Sequence, residues 1–215
     1  MTFSRLPALS FALSLAAFAA TGDAAHAADS LAGQYDGSQM EVAAELWLKP
    51  DGHFLYQLSY GALDEESSGR WTVNGDKVIL TGDPVKAPRI TLVAQMQGAP
   101  ATLRINTDAK DPYDQQNFNV IITTASGAME NVQLGIDGLT WPYPSAGAPT
   151  AVRLIEPMHE IASEPVKLDA GAALVFHFEP NDIGKADFRG TTLHVEGGVL
   201  VLKRFDVTLK FRRKR

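Results

Sequence analysis

Two pairs of histidine and glutamate are the residues in this sequence whose types and spacing best suit a metal site. They are His177 with Glu179 and His194 with Glu196. Residues i and i+2 of a β-strand project from the same face, so each pair would present an imidazole beside a carboxylate. These ligands suit zinc, copper or nickel, and the segment Met158-His159-Glu160 could add a fifth group. If the two strands are neighbours, the sequence predicts a site for a divalent metal.

A solvated outer face is the competing interpretation of the same four residues. In both segments the apolar side chains alternate with the His and Glu side chains and so occupy the opposite face. Those apolar residues are Leu174, Phe176, Phe178, Leu193 and Val195. Mixed polar residues opposite an apolar face are ordinary on the outside of a sheet.

A second candidate is an acidic segment that contains Asp108, Asp111 and Asp114 and is flanked by Asn106 and Asn117. Carboxylate and amide oxygens in a loop can bind Ca²⁺. The spacing departs from the EF-hand pattern, so a solvated linker between domains is the alternative interpretation.

Aromatic residues near the N-terminus form a third candidate. Phe54, Tyr56, Tyr60 and Trp71, with Trp47 as a further contributor, could line a pocket for a lipid or another apolar small molecule. In a small barrel the same residues can simply fill the core.

The charge distribution suggests a partner for the C-terminal tail. The chain has 19 Lys and Arg against 25 Asp and Glu, but seven basic residues and one acid follow position 202. Such a basic tail could bind an anionic membrane surface, a lipid or another envelope protein, or contact the acidic remainder of the same chain. Nucleic acid is not a predicted partner of an exported chain with net charge −6.

Several kinds of chemistry are excluded or unsupported. The chain has no cysteine, which excludes disulfides, thiolate nucleophiles and cysteine-ligated metals. It contains no Gly-x-Ser-x-Gly, Ser-x-x-Lys, His-Glu-x-x-His or Gly-rich phosphate-loop motif. We therefore predict a protein that is not an enzyme and has no cofactor. Glu65-Glu66, in a predicted acidic loop beside aromatic strands, is the feature that a hydrolase could use.

The first 27 residues predict export. Arg5 precedes an apolar run over residues 6–20, and Ala25-His26-Ala27 matches the small-x-small pattern of a signal-peptidase site. The run is shorter than the roughly 20 residues that span a bilayer, and no cysteine is available for lipid attachment. We expect a mature periplasmic or secreted protein that begins at Ala28.

Period-two alternation of apolar residues indicates an all-β protein. A four-stranded meander is predicted over residues 41–82, with turns at Pro50-Asp51-Gly52 and Asn74-Gly75. Shorter strands follow, and Gly197-Gly198 marks a hairpin before a last strand from Phe205 to Phe211.

Two arrangements fit this pattern. In the favoured one, residues 28–98 and 172–215 form an antiparallel meander or barrel, and residues 99–171 form an inserted β-sandwich-like segment. The last strands then cover the aromatic face of the meander and remove its exposed edges. In the alternative, an N-terminal sheet domain precedes a C-terminal sandwich.

Three short motifs carry a resemblance to a known group of proteins. They are Leu31-Ala32-Gly33-Gln34-Tyr35, the turn Lys49-Pro50-Asp51-Gly52-His53-Phe54, and Gly69-Arg70-Trp71 with Asn74-Gly75-Asp76. Together they resemble the small exported bacterial β-proteins with lipocalin-like barrels. The resemblance covers about 55 residues and implies a fold rather than a reaction.

The expected function is non-catalytic binding or interaction in a bacterial envelope. Two alternatives remain open: an apolar ligand inside the barrel, and a metal bound by the two His-x-Glu strands.

Overall fold

The computed structural model describes residues 29–143, 147–168, 171–205 and 207–215, and it is all-β apart from short helical turns. A 3₁₀ helix spans Pro112–Asn117. The strands are β1 (Gly33–Asp36), β2 (Val42–Leu48), β3 (His53–Tyr60), β4 (Leu63–Asn74), β5 (Lys77–Gly82), β6 (Arg89–Gln97), β7 (Thr102–Thr107), β8 (Asn119–Thr124), β9 (Met129–Gln133), β10 (Leu139–Pro142), β11 (Pro149–Glu156), β12 (Ile161–Ala162), β13 (Val166–Lys167), β14 (Ala172–Glu179), β15 (Arg189–Glu196), β16 (Val199–Arg204) and β17 (Val207–Arg213).

Eight strands form a closed antiparallel barrel in the order β1-β17-β16-β15-β5-β4-β3-β2. Tyr35 on β1 pairs with Arg213 on β17, which joins the two ends of the sheet. The barrel thus has an up-and-down order that is interrupted once, between β5 and β15. The expectation that the last strands close the N-terminal meander is confirmed, and closure removes the exposed sheet edges.

Alternation along the strands explains which side chains enter the barrel. The residues of β2 alternate strictly between buried and exposed, because successive side chains of a strand point to opposite faces. The turn predicted at residues 50–52 joins β2 to β3. The hairpin predicted at Asn74-Gly75 joins β4 to β5, but its turn residues are Gly75 and Asp76, since Asn74 pairs with Lys77. Gly197 and Gly198 both have positive φ, as a type I′ hairpin requires.

Aromatic side chains fill the barrel interior. The ring of Phe188 lies 5.0 Å from that of Tyr56 and 6.0 Å from that of Phe54, and Phe211 lies 6.5 Å from Tyr56. All four residues are almost completely buried. An eight-stranded barrel is just wide enough for its own side chains, and here they occupy the centre.

The segment between β5 and β15 forms two further sheets. One has the order β10-β7-β14-β6, and the other has the order β12-β11-β8-β9 with β13 beside β11. Buried residues of both sheets belong to one apolar core, so the segment is a small sandwich, which we call the insert.

Strand pairing differs from the expected division at two places. Residues 89–98 and 172–179 were expected with the barrel, but β6 and β14 pair with each other along their whole length in the insert. Pairing between strands that are distant in the chain decides which sheet a strand joins, and the alternation within one strand does not reveal its partner.

Glu65-Glu66 was expected in a loop but lies within β4, which is 12 residues long.

The segment that leads from β5 to β6 and the segment that leads from β14 to β15 run side by side. The backbone N–H of Lys86 donates to Asp182 Oδ2 at 2.8 Å, and Asn181 Nδ2 donates to the carbonyl of Ala87 at 2.9 Å. The chain therefore leaves and re-enters the barrel at neighbouring points.

Within the described residues, no helix has the length and apolar character needed to cross a bilayer.

Candidate functional site

The four residues of the predicted metal site are held in two different sheets. His177 and Glu179 lie on β14, which pairs with β6 and β7 of the insert. His194 and Glu196 lie on β15, which pairs with β5 and β16 of the barrel. The condition for a shared site was that these strands be neighbours, and they are not.

Local partners occupy the pair on β14. Nδ1 of His177 lies 2.8 Å from Asp108 Oδ2. Arg89 Nη2 lies 2.6 Å from Glu179 Oε1, and the hydrogen bond from that guanidinium holds the pKa of Glu179 below its usual value. His194 and Glu196 are exposed. No group of three or more His, Asp or Glu residues that could hold a metal ion occurs in the part of the chain that the structure describes.

Aspartates of the predicted calcium loop have local hydrogen-bond partners. Asp111 is the N-cap of the 3₁₀ helix, where its Oδ1 accepts from the backbone N–H of Tyr113 at 3.0 Å. Asp108 points to His177. Asp108 and Asp111 therefore have different hydrogen-bond partners.

The four predicted ligand-binding aromatic residues divide into two groups. Phe54, Tyr56 and Trp71 are buried in the barrel core, where burial raises the pKa of the Tyr56 phenol above its usual value. Tyr60 is 40% exposed at the end of β3. The first group fills the core, and Tyr60 faces a cleft outside it.

A cleft of about 400 Å³ lies between one end of the barrel and the insert. Three of its lining side chains, those of Tyr60, Met158 and Phe205, are large, apolar and 40–43% exposed. They come from the end of β3, the β11–β12 turn and the β16–β17 turn. The remaining lining residues are Leu63, Glu65, Pro88, Pro157, His159, Glu160, Asp182, Ile183, Gly184 and Lys185. We call this space the junction cleft.

The barrel end of the junction cleft is closed by an ion pair. Arg204 donates through both Nε and Nη2 to the carboxylate of Glu65, with Nε at 2.5 Å from Oε2. The guanidinium also lies 5.1 Å from the ring centroid of Phe188 and 4.7 Å from that of Phe205. The Glu65 carboxylate is thus neutralised by a positive charge that aromatic rings hold in place.

His159 is oriented by the buried Glu156. The carboxylate of Glu156 accepts from the backbone N–H groups of Met158 at 3.1 Å and His159 at 2.9 Å, and its Oε2 lies 3.0 Å from Nδ1 of His159. A carboxylate can only accept hydrogen bonds, so the ring nitrogen facing it carries the proton. In the neutral form of this imidazole, Nε2 is the nitrogen that can accept a hydrogen bond.

The other charges of the junction cleft are paired except one. Lys185 Nζ lies 3.1 Å from Asp182 Oδ1. The backbone N–H of Lys86 lowers the pKa of Asp182 by its hydrogen bond. Among the described residues, Glu160 has neither a hydrogen bond nor an ion pair from its side chain, and its φ is 56°. The unbalanced charge in this cleft is negative.

The sequence predicted other roles for Tyr60, Glu65 and His159, and it did not predict that they line one cleft. Val152, Leu154 and Glu156 share the core-facing side of β11, so Glu156 places a carboxylate where the alternation predicts an apolar residue. That break in the pattern was the available signal. Phe205 was predicted to begin the last strand, but β17 begins at Val207 and Phe205 lies in the preceding turn, so the alternation that includes it did not indicate a site. Met158 lies in the β11–β12 turn, where an apolar residue has no periodicity.

Comparison with known proteins gave no match. No family model matches the chain, and neither a curated protein nor a solved structure is significantly similar to it.

Proposed function

We propose that this protein is an exported, non-catalytic binding protein of a bacterial envelope and that it binds a small apolar molecule carrying an amine. The site is the junction cleft. The observation that carries the proposal is the convergence of three exposed apolar side chains with two unused hydrogen-bond acceptors in one concave space.

The apolar body of the ligand would lie against Tyr60, Met158 and Phe205. Exposed apolar residues are ordinary when they are scattered, whereas a concave cluster with a few polar groups is typical of a ligand site. Methionine and aromatic rings suit ligands of varied shape, because the thioether adapts and the rings offer flat surfaces. The barrel interior, which the sequence suggested as the apolar site, is already filled by its own rings.

The polar groups left over in the cleft favour a cation. Glu160 has an unpaired carboxylate, and His159 in its neutral form offers Nε2 as an acceptor. The carboxylates of Glu65 and Asp182 are already bonded to basic side chains. An ammonium group would donate to both free acceptors and lie near the Tyr60 and Phe205 rings, which also attract cations.

The test compares two fluorescent probes that share an apolar body. Dansylcadaverine carries an amine, and dansylglycine carries a carboxylate. We expect dansylcadaverine to bind at least tenfold more tightly, with a blue-shifted emission from the apolar wall. Glu160→Gln should weaken dansylcadaverine by about fivefold, since an exposed charge contributes about 1 kcal/mol.

Variants of the wall test the place of binding. Phe205→Ala and Met158→Ala should each weaken the probe tenfold or more, because each removes apolar contact area. Met129→Ala is the matched control, since Met129 is 72% exposed on β9 and lies outside the lining of the cleft. Equal binding of the two probes, or binding that both wall variants leave unchanged, would overturn the proposal.

Export rests on residues 1–27, which lie outside the described residues. We propose cleavage after Ala27, supported by the apolar run and the Ala-His-Ala motif. The mass of the protein recovered from the periplasm or medium of an expressing bacterium checks this, because a mature chain begins at Ala28. Recovery of the uncleaved chain in the cytoplasm would contradict it.

A further inference from the structure

A second groove, of about 490 Å³, lies on the outer face of the barrel and shares only Lys185 with the lining of the junction cleft. Two rows of outward side chains lie there, the first across four neighbouring strands and the second across three strands and the bridged Lys185. Strand register places Gln34, Trp47, Leu55 and Ser68 in the first row. It places Glu45, Gln57, Glu66 and Lys185 in the second. The segment Asp83-Pro84-Val85 forms a wall at the end of the first row.

The groove contains an exposed indole. Trp47 is 39% exposed, and its neighbour across the strands, Leu55, is 40% exposed. The ammonium of Lys49 lies 4.9 Å from the indole centroid and steadies the ring through a cation–π contact. The indole and Leu55 form the apolar platform of this groove, and the Lys49 ammonium covers one face of the ring.

Planar hydrogen-bonding groups surround the platform. In the described part of the chain, the side chains of Gln34, Gln57 and Glu66 have no hydrogen bond or ion pair to another residue. Amide groups both donate and accept, and carboxylates accept at two oxygens. Glu45 is bonded to Lys214 at 2.6 Å and Ser68 to Asp83 at 2.6 Å, so these four residues are already fixed.

We propose that this groove binds a neutral saccharide. A sugar ring has one apolar face of C–H groups that can stack on an indole, and its edge carries hydroxyls that both donate and accept. Those are the complements of Trp47 and of the free amide and carboxylate groups of Gln34, Gln57 and Glu66. The acidic lining with Glu66 and Asp83 disfavours an anionic sugar. Four strands about 4.8 Å apart span about 14 Å, which suits a short oligosaccharide.

Tryptophan fluorescence can report the binding of a saccharide to this groove. The chain has three, and Trp71 and Trp141 are 5% and 8% exposed, so acrylamide quenches chiefly Trp47. The probes are maltotriose, cellotriose and triacetylchitotriose. We expect one of them to protect Trp47 from quenching and to bind with a Kd of about 1 mM or tighter in calorimetry.

Variants then locate the saccharide. Calorimetry should show Trp47→Ala losing binding at least tenfold, Gln57→Ala losing several-fold, and Trp47→Phe retaining part of it. Tyr113→Ala is the control, because Tyr113 is a 68% exposed aromatic residue on the insert. Phe205→Ala should bind saccharide normally, which separates this site from the junction cleft.

Three results would overturn the proposal. They are the failure of all three saccharides to bind at about 10 mM, unchanged binding by Trp47→Ala, and capture of a protein through Trp47 without any saccharide binding.

Discussion

Arg204 on β16 and Glu65 on β4 are 139 residues apart in the chain and form a bidentate ion pair at one end of the barrel. Their side chains are 23% and 9% exposed, so the pair is largely removed from water. It joins the first part of the barrel to the part that follows the insert, and it closes the barrel end of the junction cleft.

Removal of one partner should destabilise the protein strongly. Glu65→Gln leaves the Arg204 guanidinium without its carboxylate, and breaking a buried pair costs about 3 kcal/mol in the free energy of unfolding. Urea denaturation measures it. The double variant Glu65→Leu with Arg204→Met should recover much of the loss, because no unpaired charge remains. Arg189→Ala, which breaks the exposed pair with Asp187, should cost far less. Equal losses in both pairs would contradict a buried role for the first.

A larger side chain at Leu58 tests whether the barrel interior has room for a ligand. Leu58 is 4% exposed and belongs to the barrel core. Because rings already fill that core, Leu58→Trp should lower the free energy of unfolding by about 2 kcal/mol through overpacking. A hollow barrel would accept the indole with little change. The exposed Leu55→Trp on the same strand is the control and should leave stability nearly unchanged.

Gly69 is a position where the barrel requires glycine for space. A Cβ there would lie 2.7 Å from the Cα of Gly82 and closer still to the carbonyl oxygen of Thr81. Backbone atoms cannot move away cheaply, so Gly69→Ala should cost about 3 kcal/mol in thermal or urea unfolding. At Gly61 a Cβ would meet nothing within 4 Å, and only its φ of +60° opposes a side chain. Gly61→Ala should therefore cost about 1 kcal/mol.

Alkaline pH should destabilise the barrel through Tyr56. Burial raises the pKa of this phenol in the folded state, whereas an unfolded tyrosine titrates near about pH 10. The unfolded state therefore loses its proton first, so the contribution to stability is complete below about pH 10 and falls as pH rises further. Urea midpoints between about pH 8 and 11 measure the slope, which Tyr56→Phe should reduce. An unchanged slope in that variant would exclude Tyr56 as the cause.

Acid should loosen the junction between barrel and insert. The hydrogen bond from the Lys86 N–H lowers the pKa of Asp182, and the Arg89 guanidinium lowers that of Glu179. Their contribution is present above the unfolded-state pKa values of about 4 and is lost as pH falls through the lower folded-state values. Hydrogen exchange of the Lys86 amide at acid pH should quicken relative to that of amides in the barrel core. Asp182→Asn should show the faster exchange already at neutral pH.

Alternation along single strands made much of the barrel predictable. The buried and exposed residues of β2 and β17, and the turns at Asn74-Gly75 and Gly197-Gly198, follow from local chemistry that the sequence displays directly. The matching aromatic and apolar faces also predicted closure.

Pairing between distant strands was not predictable in the same way. β14 has the alternation of a barrel strand but pairs with β6 and β7 of the insert. His177 therefore lies in a different sheet from His194. The junction cleft depends on two turns and the end of β3, which that topology brings together. No periodicity records which turns meet, so Phe205 and Met158 showed no sign of a shared site.

The amide of Gly82 donates to the carbonyl of Phe188 at 2.7 Å, so the insert begins and ends at one pair of hydrogen-bonded residues. Since β5 and β15 are antiparallel neighbours, the whole insert serves as the turn of a single hairpin. A flexible turn of that length would carry a large entropic penalty for closure. A folded insert holds its two ends together beforehand, so the barrel can close as if β5 and β15 were joined by a short turn.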